Sequence, residues 1–465
     1  MLHRSFSLAL VVVSLLAASS SAEVKLHGLF SDHMVLQQGI EVPIWGAAGD
    51  GEKVVVSLGG QKLETTGADG KFRVKLKPLK AGGPYKLTVQ GTNTITLDDV
   101  LVGEVWICSG QSNMQWAVRQ GETPEKIIAE SANPHIRLFT VPRERDAKPR
   151  TDVQGAWVEC GPKTVGDFSA VGYHFGRALQ AKLGVPVGLI SSNVGGTAAE
   201  EWTSREVLDA DEDLKPTLKN GNSTTLYNAM IHPVAPFAIR GAIWYQGESN
   251  AGRAEQYREL FPAMIKNWRD LWGQGEFPFL YVQLAPWKMI VDSPGESDWA
   301  ELREAQLTTL KASPNTGMAV ITDLGDEKDI HPKPKGPVGE RLALARAARA
   351  IAYREKLVFS GPVYTKMEVR GNEAVLSFDH VGGGLEARGE KLIGFTVAGD
   401  DNVFYNAEAR IDGDKVIVKH AEVAKPAMVR YGWANYPVVN LFNKEGLPAT
   451  PFRTDDLPGV TKGRR

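Results

Sequence analysis

The sequence predicts an α/β fold in which a largely parallel sheet is covered by helices on both faces and flanked along the chain by β-rich segments. Three observations lead to it. Strand-like and helix-like runs alternate from Val102 to about residue 355. Short strand-like runs separated by glycine turns fill the stretch before it. A similar β-pattern returns after Phe359. The length of 465 residues suits two or three domains, and an apolar fraction of 43% suits a sizeable core.

The first 22 residues read as a processing signal. His3 and Arg4 precede an apolar run from Leu8 to Ala18, and Ser20-Ser21-Ala22 then offers small residues to a signal peptidase. The run is shorter than the ~20 residues that span a membrane. The expectation is export, to the periplasm or outside the cell, with no stable membrane insertion after cleavage. Residues 23–99 follow as a sandwich-like β-domain. Its expected strands are Lys53–Leu58, Gln61–Thr66, Lys71–Leu76, Tyr85–Gln90 and Thr94–Leu97. In the third, Phe72, Val74 and Leu76 alternate with charged residues, the pattern of a half-buried strand.

Residues 100–355 form the expected central domain. Glu104–Cys108, Val187–Ser192, Ala242–Tyr245, Phe279–Leu284 and Met318–Thr322 read as buried strands. Phe168, Val171, Phe175, Leu179 and Leu183 line one face of a helix. Tyr257, Leu260, Met264, Trp268 and Leu271 line another, with Pro262 expected to kink or break it. Gly336–Tyr353 reads as an Ala- and Arg-rich helix. Residues 356–465 complete the chain as a β-rich domain, with strands at Glu373–Phe378, Leu392–Val397, Ala409–Ile411 and Lys415–Val418. Its polar tail, Asp455 to Arg465, is expected to be loose.

Composition excludes several functions. The formal net charge is −2 and Lys and Arg are dispersed, so nothing tracks phosphates and no nucleic-acid partner is expected. Cys108 and Cys160 are the two cysteines, which allow one disulfide or two buried thiols that never meet. The His residues are scattered singly and H-E-x-x-H is missing, so no metal site is expected. Oligomeric state leaves no mark on the sequence.

Four segments place polar residues where strands end, the rim at which open parallel sheets gather ligands. Ser112 follows the strand ending near Cys108, with Gly110 permitting a close turn. A serine there exposes its hydroxyl, and its own N–H can face a developing oxyanion. The full G-x-S-x-G elbow is absent because Met114 holds the last position, and in isolation Ser112 reads better as a helix N-cap. In Asn193-Val194-Gly195-Gly196-Thr197, adjacent glycines can open a backbone N–H to a ligand or simply make a turn. Trp244 to Asn250 offers amides at Gln246 and Asn250, with Glu248 expected to point away from an oxyanion and organise the loop. Asp329-Ile330-His331-Pro332 offers a base, and residues two apart on an extended segment share a face, so Asp329 can reach His331. His232 is the rival base, without a carboxylate nearby in sequence. Trp116, Tyr245 and Trp287 lie close to these segments, and core packing is the expected role of each.

These segments, in this order, resemble the sialate O-acetylesterase family within the SGNH hydrolase superfamily. Gly110-Gln111-Ser112-Asn113-Met114 is similar to its nucleophile block. Gly195-Gly196-Thr197 with Glu201-Trp202, Trp244 to Asn250, and Asp329-Ile330-His331-Pro332 are similar to its later blocks. The resemblance extends to Leu29-Phe30-Ser31-Asp32-His33-Met34-Val35-Leu36-Gln37 and to Tyr431-Gly432-Trp433. It implies a three-layer α/β/α SGNH-type core carrying a serine esterase that acts on acetylated sugars or glycans without a cofactor. Ser112 is then the nucleophile and His331 the base. The oxyanion donors are the Ser112 N–H, a glycine N–H (Gly195 in preference to Gly196) and the Gln246 side chain. Many SGNH enzymes carry Asp three residues before the His, where this chain has Lys328. Asp329 takes that role, or a backbone carbonyl orients His331 in a Ser-His dyad.

Overall fold

The computed structural model describes residues 23–343 and 352–465. The expected signal segment and residues 344–351 of the expected helix Gly336–Tyr353 lie outside that range.

One strand organises the molecule. β1, Thr94–Gly110, runs unbroken through the boundary expected between residues 99 and 100. Its first part pairs antiparallel with Gly82–Gln90, and Val35–Gln37 pairs parallel to it at Leu101–Gly103. Its second part lies centrally in the sheet that carries the rim. That sheet also contains β2 (Asn133–Thr140), β3 (Val158–Cys160), β4 (Val187–Asn193), β5 (Gly241–Tyr245), β6 (Phe279–Val282) and β7 (Thr316–Ala319), in the order β3-β2-β4-β1-β5-β6-β7. The pairs from β2 to β7 are parallel, and β3 is antiparallel at the edge. Taken with its N-terminal strands, the sheet is mixed and has eleven strands among the described residues.

Alternation along these strands decides which helix each residue meets. Trp106, Cys108, Ile243 and Tyr245 face α2 (Ala170–Leu183) and α5 (Lys335–Ala343), where Phe175, Leu179, Val338 and Leu342 are buried. Ile107, Ala242 and Trp244 face the other way, toward α3 (Ala254–Trp272) and α4 (Asp298–Ala312). The apolar positions read from the sequence in α2 and α3 lie on these faces. α3 runs through Pro262 without a break. Proline there forgoes one backbone hydrogen bond, while Tyr257, Leu260, Phe261, Met264 and Trp268 are all buried around it. Burying each large apolar side chain contributes about 1.5–3 kcal/mol, which outweighs the single lost bond.

The C-terminal region adds a four-stranded sheet from Val363–Arg370, Glu373–Asp379, Lys415–Lys419 and Glu408–Asp412, a second sheet around Phe395–Ala398 and Met428–Tyr431, and their own core. It is fastened to the centre by Arg303 on α4, whose fully buried guanidinium donates to the carbonyls of Leu284, Ala285, Ala434 and Asn435. Arg303→Met relieves the cost of burying a charge but orphans the carbonyls of Leu284 and Ala434, each worth about 1–3 kcal/mol when unsatisfied, while Ala285 and Asn435 keep Trp299 and Trp287 as donors. Urea unfolding is expected to show a loss of at least about 2 kcal/mol; a loss under about 1 kcal/mol contradicts this fastening.

Two expectations about the chain are settled here. The tail is held rather than loose: Asp455 pairs with Arg430, and Val460 and Thr461 donate backbone N–H groups to the buried carboxylate of Glu301 at 2.6 and 3.1 Å. Cys108 and Cys160 are separate, buried free thiols, the second of the two possibilities the sequence left open. No helix among the described residues is long and apolar enough to cross a membrane.

Candidate active site

β1 ends at Gly110, and this glycine is required. Its φ is +136°, and an added Cβ would sit 2.2 Å from the Tyr245 carbonyl oxygen of the neighbouring strand. The chain then turns through Gln111 into α1 (Ser112–Gln115), so Ser112 opens a one-turn helix at the sheet rim. Ser112 is partly exposed. Among the described residues, neither its N–H nor its hydroxyl has a protein hydrogen-bond partner.

β4 ends at Asn193 and delivers Gly195 beside Ser112. A Cβ built on Gly195 lies 3.3 Å from the Ser112 Cβ. The Gly195 N–H donates to the Gln115 side-chain oxygen at 2.6 Å. Gly196, at φ +72°, makes the turn.

His331 reaches the same neighbourhood from a loop between β7 and α5. Its ring stacks on Trp116, one residue beyond α1, at 4.8 Å between centroids and 19° between planes. The Asn113 side chain donates to the Ile330 carbonyl at 3.1 Å. These two contacts tie the residues flanking Ser112 to the segment carrying His331. No direct hydrogen bond joins Ser112 Oγ to His331. Asp329 Oδ1 accepts from the His331 backbone N–H at 2.9 Å and lies 3.2 Å from its Nδ1. Partial burial holds the imidazole below its ordinary pKa; Asp329 pulls it up and Lys335 pushes it further down. With Nδ1 facing Asp329, Nε2 is left as the nitrogen able to accept a proton. His232, the rival base, has its Nδ1 2.7 Å from the Arg150 carbonyl.

Gln246 is placed differently from expectation. It is fully buried, and its amide group donates to Asn250 at 2.6 Å and to the Thr197 carbonyl at 3.2 Å. Its oxygen accepts from the Tyr257 hydroxyl at 2.9 Å. Asn250 in turn accepts from the Ala199 N–H and donates to the buried Glu200 carboxylate, both at 2.9 Å. Both Gln246 amide hydrogens are therefore spent locking the third loop to the glycine loop, and none remains for an oxyanion.

Three residues joined to this site were not singled out by sequence as part of it. Asn113 is fully buried and also donates to Glu248 Oε1 at 2.7 Å. Lys335, the first residue of α5, is buried, donates to Asn113 Oδ1 and lies over the rings of Trp116 and Tyr245. Gln115 covers Gly195. Glu248 is partly buried, its Oε2 is enclosed and unpartnered, and desolvation pushes its carboxyl pKa up. Its Oε1 ties the loop after β5 to the residue following Ser112. Tyr245 packs in the core as expected, whereas Trp116 is half-buried and serves as the platform for His331. Trp287 packs on Trp299. One set of metal-type donors, His33, Asp99 and Glu159, lies in the N-terminal half of the chain, where the Arg137 guanidinium ion-pairs with both carboxylates.

Residues 102–348 match the model of a family described as carbohydrate esterase, sialic acid-specific acetylesterase. Sialate O-acetylesterase of Rattus norvegicus is 32% identical over 444 residues, covering 80% of this chain and 81% of that protein. That of Pongo abelii is 31% identical over 511 residues, covering 97% of each. The crystal structure of a carbohydrate acetylesterase from Xanthomonas citri is 43% identical with a TM-score of 0.88, covering 93% of this chain and all (100%) of that one.

Proposed function

The chain belongs to the sialic acid-specific acetylesterase family of carbohydrate esterases and is a carboxylic ester hydrolase, and from that premise we propose that it removes O-acetyl groups from carbohydrates through an acetyl-serine intermediate on an SGNH-type core. The observation that carries this reading is the pair of contacts, Trp116 on His331 and Asn113 on Ile330, that link the Ser112 helix to the His331 loop. Ser112 Oγ attacks the acetyl carbonyl and His331 Nε2 takes its proton. The oxyanion is met by the Ser112 N–H and, once the Gln115 side chain is displaced, by the Gly195 N–H. His331 then protonates the departing sugar alkoxide, and water activated by the same imidazole hydrolyses the acetyl-enzyme. Asp329 orients the ring in a triad.

The domain limits at residues 99/100 and 355/356 and the signal peptide over residues 1–22 belong to the same proposal. The apolar run and small-residue site near Ala22 support export. The substrate is a sugar or glycan bearing O-acetyl groups, with no nucleic acid involved.

Acetate release from a panel of O-acetylated sialic acids and acetylated xylan tests the activity. Saturable release from at least one member is expected. Glycan binding without any acetate would instead make the protein a carbohydrate-binding scaffold. The pH profile is a separate check. His331 must be neutral to accept a proton, and its pKa is held below the ordinary ~6.5. The acid limb of kcat/KM should therefore have its midpoint below pH ~6.5, with activity lost as pH falls through it. A midpoint at or above that value contradicts the assignment.

A further inference from the structure

Asn113 follows the proposed nucleophile directly, and its fully buried side chain is the meeting point of three other segments. Its NH2 group donates to the carbonyl of Ile330, the residue before His331, and to Glu248 on the loop after β5. Its oxygen accepts from Lys335 at the start of α5. The partners fix which way the amide faces: a carbonyl and a carboxylate require the nitrogen, and an ammonium requires the oxygen. Lys335 cannot swing away to solvent, because it is 2% exposed and enclosed by the rings of Trp116 and Tyr245. Trp116 also carries the His331 ring. The same small cluster therefore touches the serine helix, the base loop and the stacking platform of the base.

We propose that Asn113 and Lys335 are positioning residues that set the His331 imidazole against Ser112, with Lys335 fixing the Asn113 amide so that it holds the Ile330 carbonyl. This rests on the esterase reading above, and neither residue touches the substrate. A polar bridge of this kind is worth its burial because a misplacement of about 1 Å in a reacting group costs about 10²-fold in rate.

The charged groups around the cluster make a second readout available. His331 faces Asp329 on its own loop and Lys335 on α5, and Lys335 in turn faces Glu248 on the third loop and Asp329. Burial lowers the Lys335 pKa to about 7, with Glu248 and Asp329 opposing. On the acid limb of the pH profile, Lys335 therefore carries its positive charge, which disfavours an imidazolium nearby. Removing that charge raises the His331 pKa.

The test uses Asn113→Asp and Lys335→Met in the full chain, with active sites counted by burst titration. Asn113→Asp keeps the shape but loses both donations. Lys335→Met keeps the length and loses the donor and the charge. Each is expected to lower kcat per active site by about 10²-fold with KM changed less than about threefold. Lys335→Met should also move the acid limb of kcat/KM to higher pH. A purely structural role would lower the number of active sites and the melting temperature but leave turnover per site and the acid limb where they were. That result, in whichever of the two variants folds, overturns the proposal. Ser112→Ala run in parallel separates the two levels: if it stays active, the esterase reading itself fails, whereas an inactive Ser112→Ala beside fully active Asn113→Asp and Lys335→Met defeats the positioning role alone.

Discussion

Ser112→Ala is expected to lower kcat for 4-nitrophenyl acetate by about 10⁴–10⁶-fold, equivalent to about 5–8 kcal/mol of transition-state stabilisation. The size follows from the role. Without the hydroxyl no acyl-enzyme forms, and what remains is catalysis by the backbone donors acting on water. The same substitution should leave stability within about 0.5 kcal/mol, because the side chain is partly exposed and its hydroxyl has no protein hydrogen-bond partner among the described residues. Loss of activity with an unchanged thermal midpoint is thus the expected pair of results. Activity within tenfold of the unmodified protein removes Ser112 from the nucleophile's role.

His331→Gln is expected to cost about 10³–10⁴-fold in kcat/KM. Glutamine retains polarity but cannot take a proton at neutral pH. Its effect should shrink as pH rises, since hydroxide in solution replaces the missing base. A constant deficit at all pH values would assign His331 a purely structural part. Asp329→Asn should be milder, about 10–10²-fold, because its contact with Nδ1 is 3.2 Å long and the carboxylate is 43% exposed. A rate equal to that of the unmodified protein indicates a Ser-His dyad instead of a triad.

Local sequence pattern made much of this legible. The alternation of Phe72, Val74 and Leu76 gave strand Lys71–Leu76 with its bounds, and the apolar run before Ser112 gave the strand that ends at Gly110. The two-residue spacing of Asp329 and His331 anticipated their contact, because that geometry depends only on the local backbone. What sequence could not supply was the set of partners brought from afar. Gln246 reads as an amide at a strand end, and only the folded positions of Thr197 and Tyr257 reveal that it is occupied. Nothing in the sequence marks Lys335; its ammonium meets Asn113, 222 residues away. Trp116 reads as core because nothing in its vicinity announces His331.

Larger-scale features hidden from the sequence have the same origin. The change to strand–helix alternation suggested a domain limit near residue 99, and what local pattern did not show is that one strand, Thr94–Gly110, crosses that point with pairing partners on both halves. The polar tail reads as loose until the Glu301 carboxylate on α4 accepts its backbone donors. Pro262 reads as a kink or a break, and the helix with its buried face runs through it unbroken. In each case long-range contacts outweighed a local preference.

The most direct measurement is covalent labelling with a fluorophosphonate, followed by peptide mapping. A serine activated by His331 beside the Gly195 N–H should be phosphonylated once, on the peptide carrying Ser112, with matching loss of acetate release. Modification of a different side chain, or a fully active protein that takes up no label, would contradict the account.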